Sequence, residues 1–213
     1  MKLTKHDHAC VRVEKNGKVL VIDPGAFTKG PVLDGADAVL ITHEHADHVD
    51  VDRLKAASPG LEIYTCEAVA AELADVPAKV QVVRAGDGFE AAGFRVDVFG
   101  EWHAFNHPDM AIVQNVGFLL DDEVFYPGDA LTDPGVEVPT LLVPMGAPWL
   151  RLSEVVDYMR KLRPARAYST HDALYSEIGL GLVDNWLRIE ADKQQADIRR
   201  IPVGESVTIS QPT

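Results

Sequence analysis

Cysteine is nearly absent. Cys10 and Cys66 are the only two in 213 residues, no C-x-x-C occurs, and each sits among apolar neighbours. That usage excludes a disulfide framework and a thiolate zinc site, and it predicts two buried free thiols. Basic residues are scarce as well: 20 Lys and Arg stand against 33 Asp and Glu, a formal net charge of -13 at pH 7. A polyanion would meet net repulsion, so binding of nucleic acid through a general electrostatic footprint is not expected. No apolar run approaches membrane-spanning length, and the N-terminal "MKLTKHDHACVRVEKNG" lacks the apolar core of a signal peptide. The expectation is a cytoplasmic protein with a small-molecule substrate and neither a membrane nor a nucleic-acid partner; homo-oligomerisation is left open. No Ser/Gly-rich linker, charge block or short-period repeat divides the chain, so a single domain over residues 1–213 is expected.

What is present is a succession of short strand-like segments. "ACVRVEK", "KVLVIDPG", "AVLITH", "LEIYTC", "VQVVRAG", "FRVDVFG", "VGFLLDD", "EVFYPGD", "TLLVP", "RAYSTH" and "SVTIS" are β-branched or aromatic, and most are bounded by Gly, Pro or Asp. Helical spacing of apolar residues appears in "HVDVDRLKAA", "CEAVAAELA", "SEVVDYMRKLR" and "LVDNWLRIEADKQQA". Leading hairpins followed by strand-helix units predict an α+β chain in which mixed sheets form a sandwich covered by helices.

The densest chemistry lies in "THEHADHVD", Thr42 to Asp50, with three histidines and three acidic residues in nine positions. It follows the apolar "DAVLI", read as a strand buried on both faces, and precedes the helical "VDRLKAA". The histidines therefore fall in the turn at a strand's carboxyl end, a common site location in α/β folds. In an extended turn His43 and His45 project to the same side and can share one metal, while Glu44 points away. Asp47 and His48, where the chain bends into the helix, can aim at an adjacent ion.

This H-x-H-x-D-H segment resembles the defining motif of the metallo-β-lactamase superfamily. The resemblance implies a further His, a bridging Asp and a last His, each on a loop after a strand. "FRVDVFGEWHAFNH" offers His103, "EVFYPGDALTD" offers Asp129 and "RAYSTHDALY" offers His171, in that order. By this match His43, His45 and His103 would hold one metal, Asp47, His48 and His171 a second, and Asp129 would bridge them. The implied fold is an αββα sandwich of two mixed β-sheets flanked by helices. The segments "IDPG", "YPGDA", "PMGAPW" and "STHD" are most similar to the small UlaG-like hydrolases, a branch that includes lactonases. Imidazole and carboxylate ligands suit two divalent ions, zinc first, with manganese or iron also compatible.

Other residues compete for roles. His103 is preferred to His107 because it directly follows a strand, whereas "NHPD" reads as a turn; His107 is left a place lining the substrate cleft. His6 and His8 read as structural or surface residues, with His8 alternatively a cleft residue or one that supports a ligand. Asp23 in "VIDPG" reads as a turn former, with ligand support as the alternative. Asp172, beside His171, would orient it, meet substrate or cap the loop. Trp102, Phe105, Met145 and Trp149 would supply apolar walls, and Lys29 and Arg151 are the basic residues nearest these loops.

The chemistry expected is hydrolysis by a metal-bridging hydroxide, with Asp47 orienting the attacking oxygen and Asp129 holding the metals together. A small acyl substrate such as a lactone is favoured over a phosphodiester. From other classes, an iron-dependent oxidoreductase or a non-catalytic metal-binding module would use the same ligands.

Overall fold

Four consecutive aliphatic residues can pair as a strand only where both faces are covered, and "AVLI" does so: Ala38–Ile41 are all buried. In the computed structural model, which describes residues 1–210, this strand is the fourth of fourteen among the described residues. Residues 211–213, included in the one-domain expectation, lie outside the described residues. The first half of the chain runs β1 (Lys2–Lys5), β2 (Val11–Lys15), β3 (Lys18–Ile22), β4 (Ala38–Ile41), α1 (Val51–Lys55), β5 (Glu62–Thr65), α2 (Glu67–Glu72), β6 (Lys79–Val82), β7 (Gly88–Ala91) and β8 (Phe94–Phe99). The second half adds β9 (Gly117–Leu120), β10 (Val124–Tyr126), β11 (Thr140–Pro144), α3 (Leu152–Leu162), β12 (Arg166–Thr170), α4 (Glu177–Gln194), β13 (Asp197–Arg199) and β14 (Ser206–Thr208).

The strands form two seven-stranded sheets, ordered β14-β1-β2-β3-β4-β5-β6 and β13-β12-β11-β10-β9-β8-β7. Each is mixed: β3 to β6 pair in parallel while β1, β2 and β3 are antiparallel, and β10 to β13 are parallel while β7 to β10 are antiparallel. The two-residue period of a strand divides the second sheet between two cores. Phe118, Leu120, Val124, Tyr126, Leu142 and Tyr168 share a cluster with the first sheet. Their neighbours Leu119, Phe125, Leu141, Val143 and Ala167 pack instead with Val155, Val156 and Met159 of α3 and Val183 and Leu187 of α4. Leu54 of α1 and Val69 of α2 join the cluster of the first sheet. The architecture is the αββα sandwich expected from sequence.

The differences are local. β1, β7 and β13 go unannounced because "KLTK", "GFEA" and "DIR" are short and half polar. α1 is only five residues long: Asp50 caps it by accepting the Arg53 N–H at 3.0 Å, and "SPG" follows at once. α4 begins earlier than its apolar spacing suggests, because the Ser176 side chain caps it by accepting from Gly179 N–H. Cys10 and Cys66 are buried free thiols, and burial pushes the Cys10 thiol up to about 12, leaving it chemically quiet.

Candidate metal centre

Strand direction builds the site. β3 and β4 run parallel, as do β10, β11 and β12, and β8 shares their direction through two antiparallel pairings. Their carboxyl ends release the loops that carry Asp23, Thr42 to Asp50, His103, Asp129, Trp149 and His171. Close approach of these loops needs glycine at two points. A Cβ on Gly25 would lie 2.0 Å from the Asp47 carbonyl oxygen, and one on Gly128 (φ +65) would meet Asn115 Oδ1 at 2.4 Å. Asn115 then fixes the Asp129 turn, donating from Nδ2 to Pro127 O at 2.9 Å and accepting the Asp129 N–H at 3.0 Å. His8, Asp23 and His171 hold φ of 53°, 48° and 56°, a concentration of left-handed non-glycine backbone typical of functional sites.

The seven expected ligands converge. His43, His45, His103 and Asp129 each place a ligand atom within 4.8 Å of the others, and so do His48, Asp129 and His171. His43 Nε2 lies 3.0 Å from His45 Nδ1, and His103 Nε2 3.4 Å from Asp129 Oδ2. On the other side Asp129 is 3.3 Å from His48 Nε2 through Oδ1 and 3.1 Å from His171 Nε2 through Oδ2. Asp47 Oδ2 stands 3.2 Å from His171 Nε2 and 3.8 Å from His48 Nε2. His8, Asp47 and His171 likewise bring one ligand atom each within 4.8 Å of one another.

The back of each ring is engaged. His48 Nδ1 donates to Asp23 Oδ2 at 2.7 Å, His103 Nδ1 to Ala104 O at 2.6 Å and His171 Nδ1 to Gly146 O at 2.7 Å. Thr42 Oγ1 donates to Asp23 Oδ2 at 2.7 Å and so accepts from His43 Nδ1 at 2.9 Å. With a proton held on Nδ1, each of these four rings turns its Nε2 into the cluster. The Nε2 atoms of His48, His103 and His171 and Oδ1 of Asp129 are buried without a hydrogen-bond partner. Orphaned nitrogens and a carboxylate oxygen aimed at shared space fit divalent metal ions, as does the donor chemistry.

Electrostatics divides the cluster. Burial holds His43 well below its ordinary value, and His45 is lowered by burial and then by the His103 ring. Burial also pulls on His48 and His171, but the carboxylates win: Asp129 and Asp23 carry His48 well above its ordinary range, and Asp129 and Asp47 raise His171 to about 9. Burial opposes ionisation of Asp129, yet His48, His103 and His171 hold it well below the carboxylate range. Asp47 is likewise depressed against its burial, chiefly through His171 and His8.

The remaining residues separate by position. Asp23 is no mere turn former: it is fully buried and accepts from Thr42 N–H, Thr42 Oγ1 and His48 Nδ1. His8 is not a surface residue either. Its ring is buried, lies 3.9 Å from His171 between centroids, and places Nε2 3.0 Å from Asp47 Oδ2. Ala173 N–H reaches His8 Nδ1 at 3.4 Å, so Nε2 carries the proton given to Asp47. Burial outweighs Asp47 and lowers the His8 pKa. Asp172 does not face the cluster: it accepts from buried Lys5 Nζ at 3.1 Å and Ser169 Oγ at 3.0 Å, anchoring the loop of His171. His107 is exposed and accepts the Asp109 N–H, apart from the ligand group. Trp149 is half-buried and donates Nε1–H to Asp129 Oδ2 at 3.2 Å, whereas Met145 is buried beneath α3 and forms no cleft wall. Sequence reasoning missed Thr42, Asn115 and Lys5; only Thr42, adjoining the motif, carried a local signal.

Comparison with known proteins gives a family. The model described as "Beta-lactamase superfamily domain" matches residues 2–171. The Mycobacterium tuberculosis protein Rv0786c is 35% identical over 98% of this chain and 100% of its own length. A protein of Bacillus cytotoxicus named a UPF0173 metal-dependent hydrolase is 46% identical over 55 residues, 23% of this chain and 24% of its own. Among solved structures, Igni18, a metallo hydrolase from Ignicoccus hospitalis, superposes with a TM-score of 0.75 at 18% identity, covering 99% of both chains, a likeness of fold alone. No helix among the described residues is long and apolar enough to cross a membrane.

Proposed function

Because the chain belongs to the metallo-β-lactamase superfamily as a metal-dependent hydrolase, we propose that its seven converging side chains hold two divalent ions and that it opens a small acyl substrate such as a lactone. One observation carries the binuclear reading: Asp129 is the carboxylate common to both ligand groups, with Oδ1 toward His48 and Oδ2 toward His103 and His171. His43, His45 and His103 would hold one ion, and Asp47, His48 and His171 the other. Zinc suits this set, and manganese or iron share its donor preferences. When bound, such a pair supplies Lewis acidity and a water of lowered pKa.

The chain's own residues do the rest. Asp23 and Thr42 engage Nδ1 of His48 and His43, so Nε2 is the atom each ring would present to an ion. Asp47, ionised and fixed by His8, is the carboxylate placed to orient the attacking oxygen. Trp149 closes one side over Asp129. The preference for an acyl substrate rests on the rim. Phe27 and Phe105 are exposed there, while Lys29 already faces Asp7 at 3.9 Å, leaving Arg151 as the nearby cation without an acidic partner among the described residues. The resemblance of "IDPG", "YPGDA", "PMGAPW" and "STHD" to the small UlaG-like hydrolases, read from sequence, supports the same preference.

Metal-replete protein should hydrolyse lactones or aryl esters in a chelator-sensitive reaction that Asp129→Asn and His48→Ala abolish. Phosphodiester turnover lost in both variants, with no acyl hydrolysis, would contradict the substrate class and leave the metal reading standing.

A further inference from the structure

Beside the metal cluster lies an open cleft of about 490 Å³ that the hydrolytic chemistry does not use. Its walls include Ala104, Phe105, Leu131, Trp149 and Leu150, and Arg151 stands among its polar residues. Two walls are continuous with the ligands. Ala104 follows His103 and accepts its Nδ1 proton, and Trp149 donates to Asp129 while its ring lies 5.4 Å from that of His103. Anything seated against the indole therefore lies beside the reacting centre.

The opposite character appears at Arg151. It precedes α3, and its backbone N–H is taken by Glu154 Oε2 at 2.8 Å. Glu154 also lines the cleft, yet its carboxylate is spent on the helix start, and among the described residues no acidic side chain pairs with the Arg151 guanidinium. A guanidinium without an ion-pair partner among the described residues, beside the apolar side chains of the cleft, is placed to receive an anion from outside. A volume of this size that sets Phe105, Leu131, Trp149 and Leu150 beside a few polar side chains, Asn106, Arg151 and Glu154, has the form of a small-molecule subsite.

We propose that this cleft seats the apolar chain of the substrate and that Arg151 pairs with an anionic group at the chain's far end, so that the substrate class is an acyl compound bearing a terminal carboxylate or phosphate. The assignment rests on reading the cluster as a hydrolytic centre, but the cleft can be tested by binding alone.

The test is calorimetric titration of the full-length, metal-replete protein with butyrate, hexanoate, octanoate, octanol and octyl phosphate, none of which carries an ester to cleave. Affinity should rise about fourfold per added methylene as the chain fills the cleft. Octanoate or octyl phosphate should bind roughly tenfold more tightly than octanol, and whichever of the two is tighter identifies the anion. Arg151→Gln should remove that advantage while keeping the length dependence, and Leu131→Trp, which fills the cleft, should flatten the length dependence. Octanoate bound equally by the wild type and Arg151→Gln would place the carboxylate on the metal cluster and overturn the proposal, as would affinity independent of chain length. Absence of esterase activity with the binding pattern intact would instead count against the hydrolytic reading.

Discussion

The two halves of the cluster are built for the same task under opposite electrostatics. Around His43 and His45, burial dominates and the rings stay neutral, so their lone pairs are ready at neutral pH. Around His48 and His171, three carboxylates, Asp23, Asp47 and Asp129, outweigh burial and keep the rings protonated when no metal competes. The first half would take up an ion without first losing protons from His43 and His45. In the proposed two-ion centre the second half would carry positive charge in advance as protons, and loading would exchange those protons for the ion. The carboxylates that would stabilise the second ion are the same groups that make its uptake pH-dependent.

The largest effect should come from the one residue both halves share. Asp129→Ala should lower affinity at both positions by more than roughly 100-fold, beyond the usual cost of losing a supporting partner. Metal titration followed by elemental analysis checks this; selective loss at one position would mean that Asp129 belongs to a single half. Asp23→Ala should come next. It strands His48 Nδ1 and the Thr42 N–H and hydroxyl inside the protein, costing at least ~3 kcal/mol of stability by thermal unfolding. It should also weaken the His48 position more than the His43 position, because Asp23 reaches His43 only through Thr42.

The pH dependence sharpens the contrast further. His171 is raised to about 9 from an ordinary 6.5, so in the metal-free chain its charge stabilises the fold fully below 6.5, and that contribution is lost as pH rises through about 9. Uptake at the second position should therefore release about two protons, from His171 and His48, and should strengthen with pH until about 9. The His43 position, where His43 and His45 are both depressed, should change little between pH 7 and 9. Calorimetry in buffers of different ionisation enthalpy measures the proton release; equal release at both positions would erase the proposed difference. The smallest effect should be that of His8, whose hydrogen bonds near the cluster reach only Asp47 and the His171 loop. His8→Ala should weaken the second position about tenfold, and His8→Gln, which can restore a donor near Nε2, should recover most of it.

The legibility of the site follows the length of chain over which each feature is encoded. His43, His45, Asp47 and His48 were readable because six residues at one strand end fix their relative placement. His103, Asp129 and His171 were readable only by order along a family resemblance, since nothing near each one distinguishes a ligand from a turn residue. Lys5 and Asp172 meet across 167 positions, and His8 and Asp47 across 39, so no local pattern announces either contact. Asp23 misled because Asp-Pro-Gly is strong turn chemistry, and the turn is real: φ of 48° places the residue in a bend whose carboxylate happens to point inward. In the fold, short β-branched and aromatic runs revealed the covered strands, whereas β1, β7 and β13 depend on pairing with neighbours rather than on their own composition.

The central claim is that one cluster holds two ions joined by Asp129. Anomalous diffraction from metal-replete crystals, recorded at the absorption edge of the metal found by elemental analysis, tests it most directly. Two peaks per chain are predicted, one among His43, His45 and His103 and one among Asp47, His48 and His171, with Asp129 between them. A single fully occupied peak in metal-replete protein, or peaks away from Asp129, would contradict it.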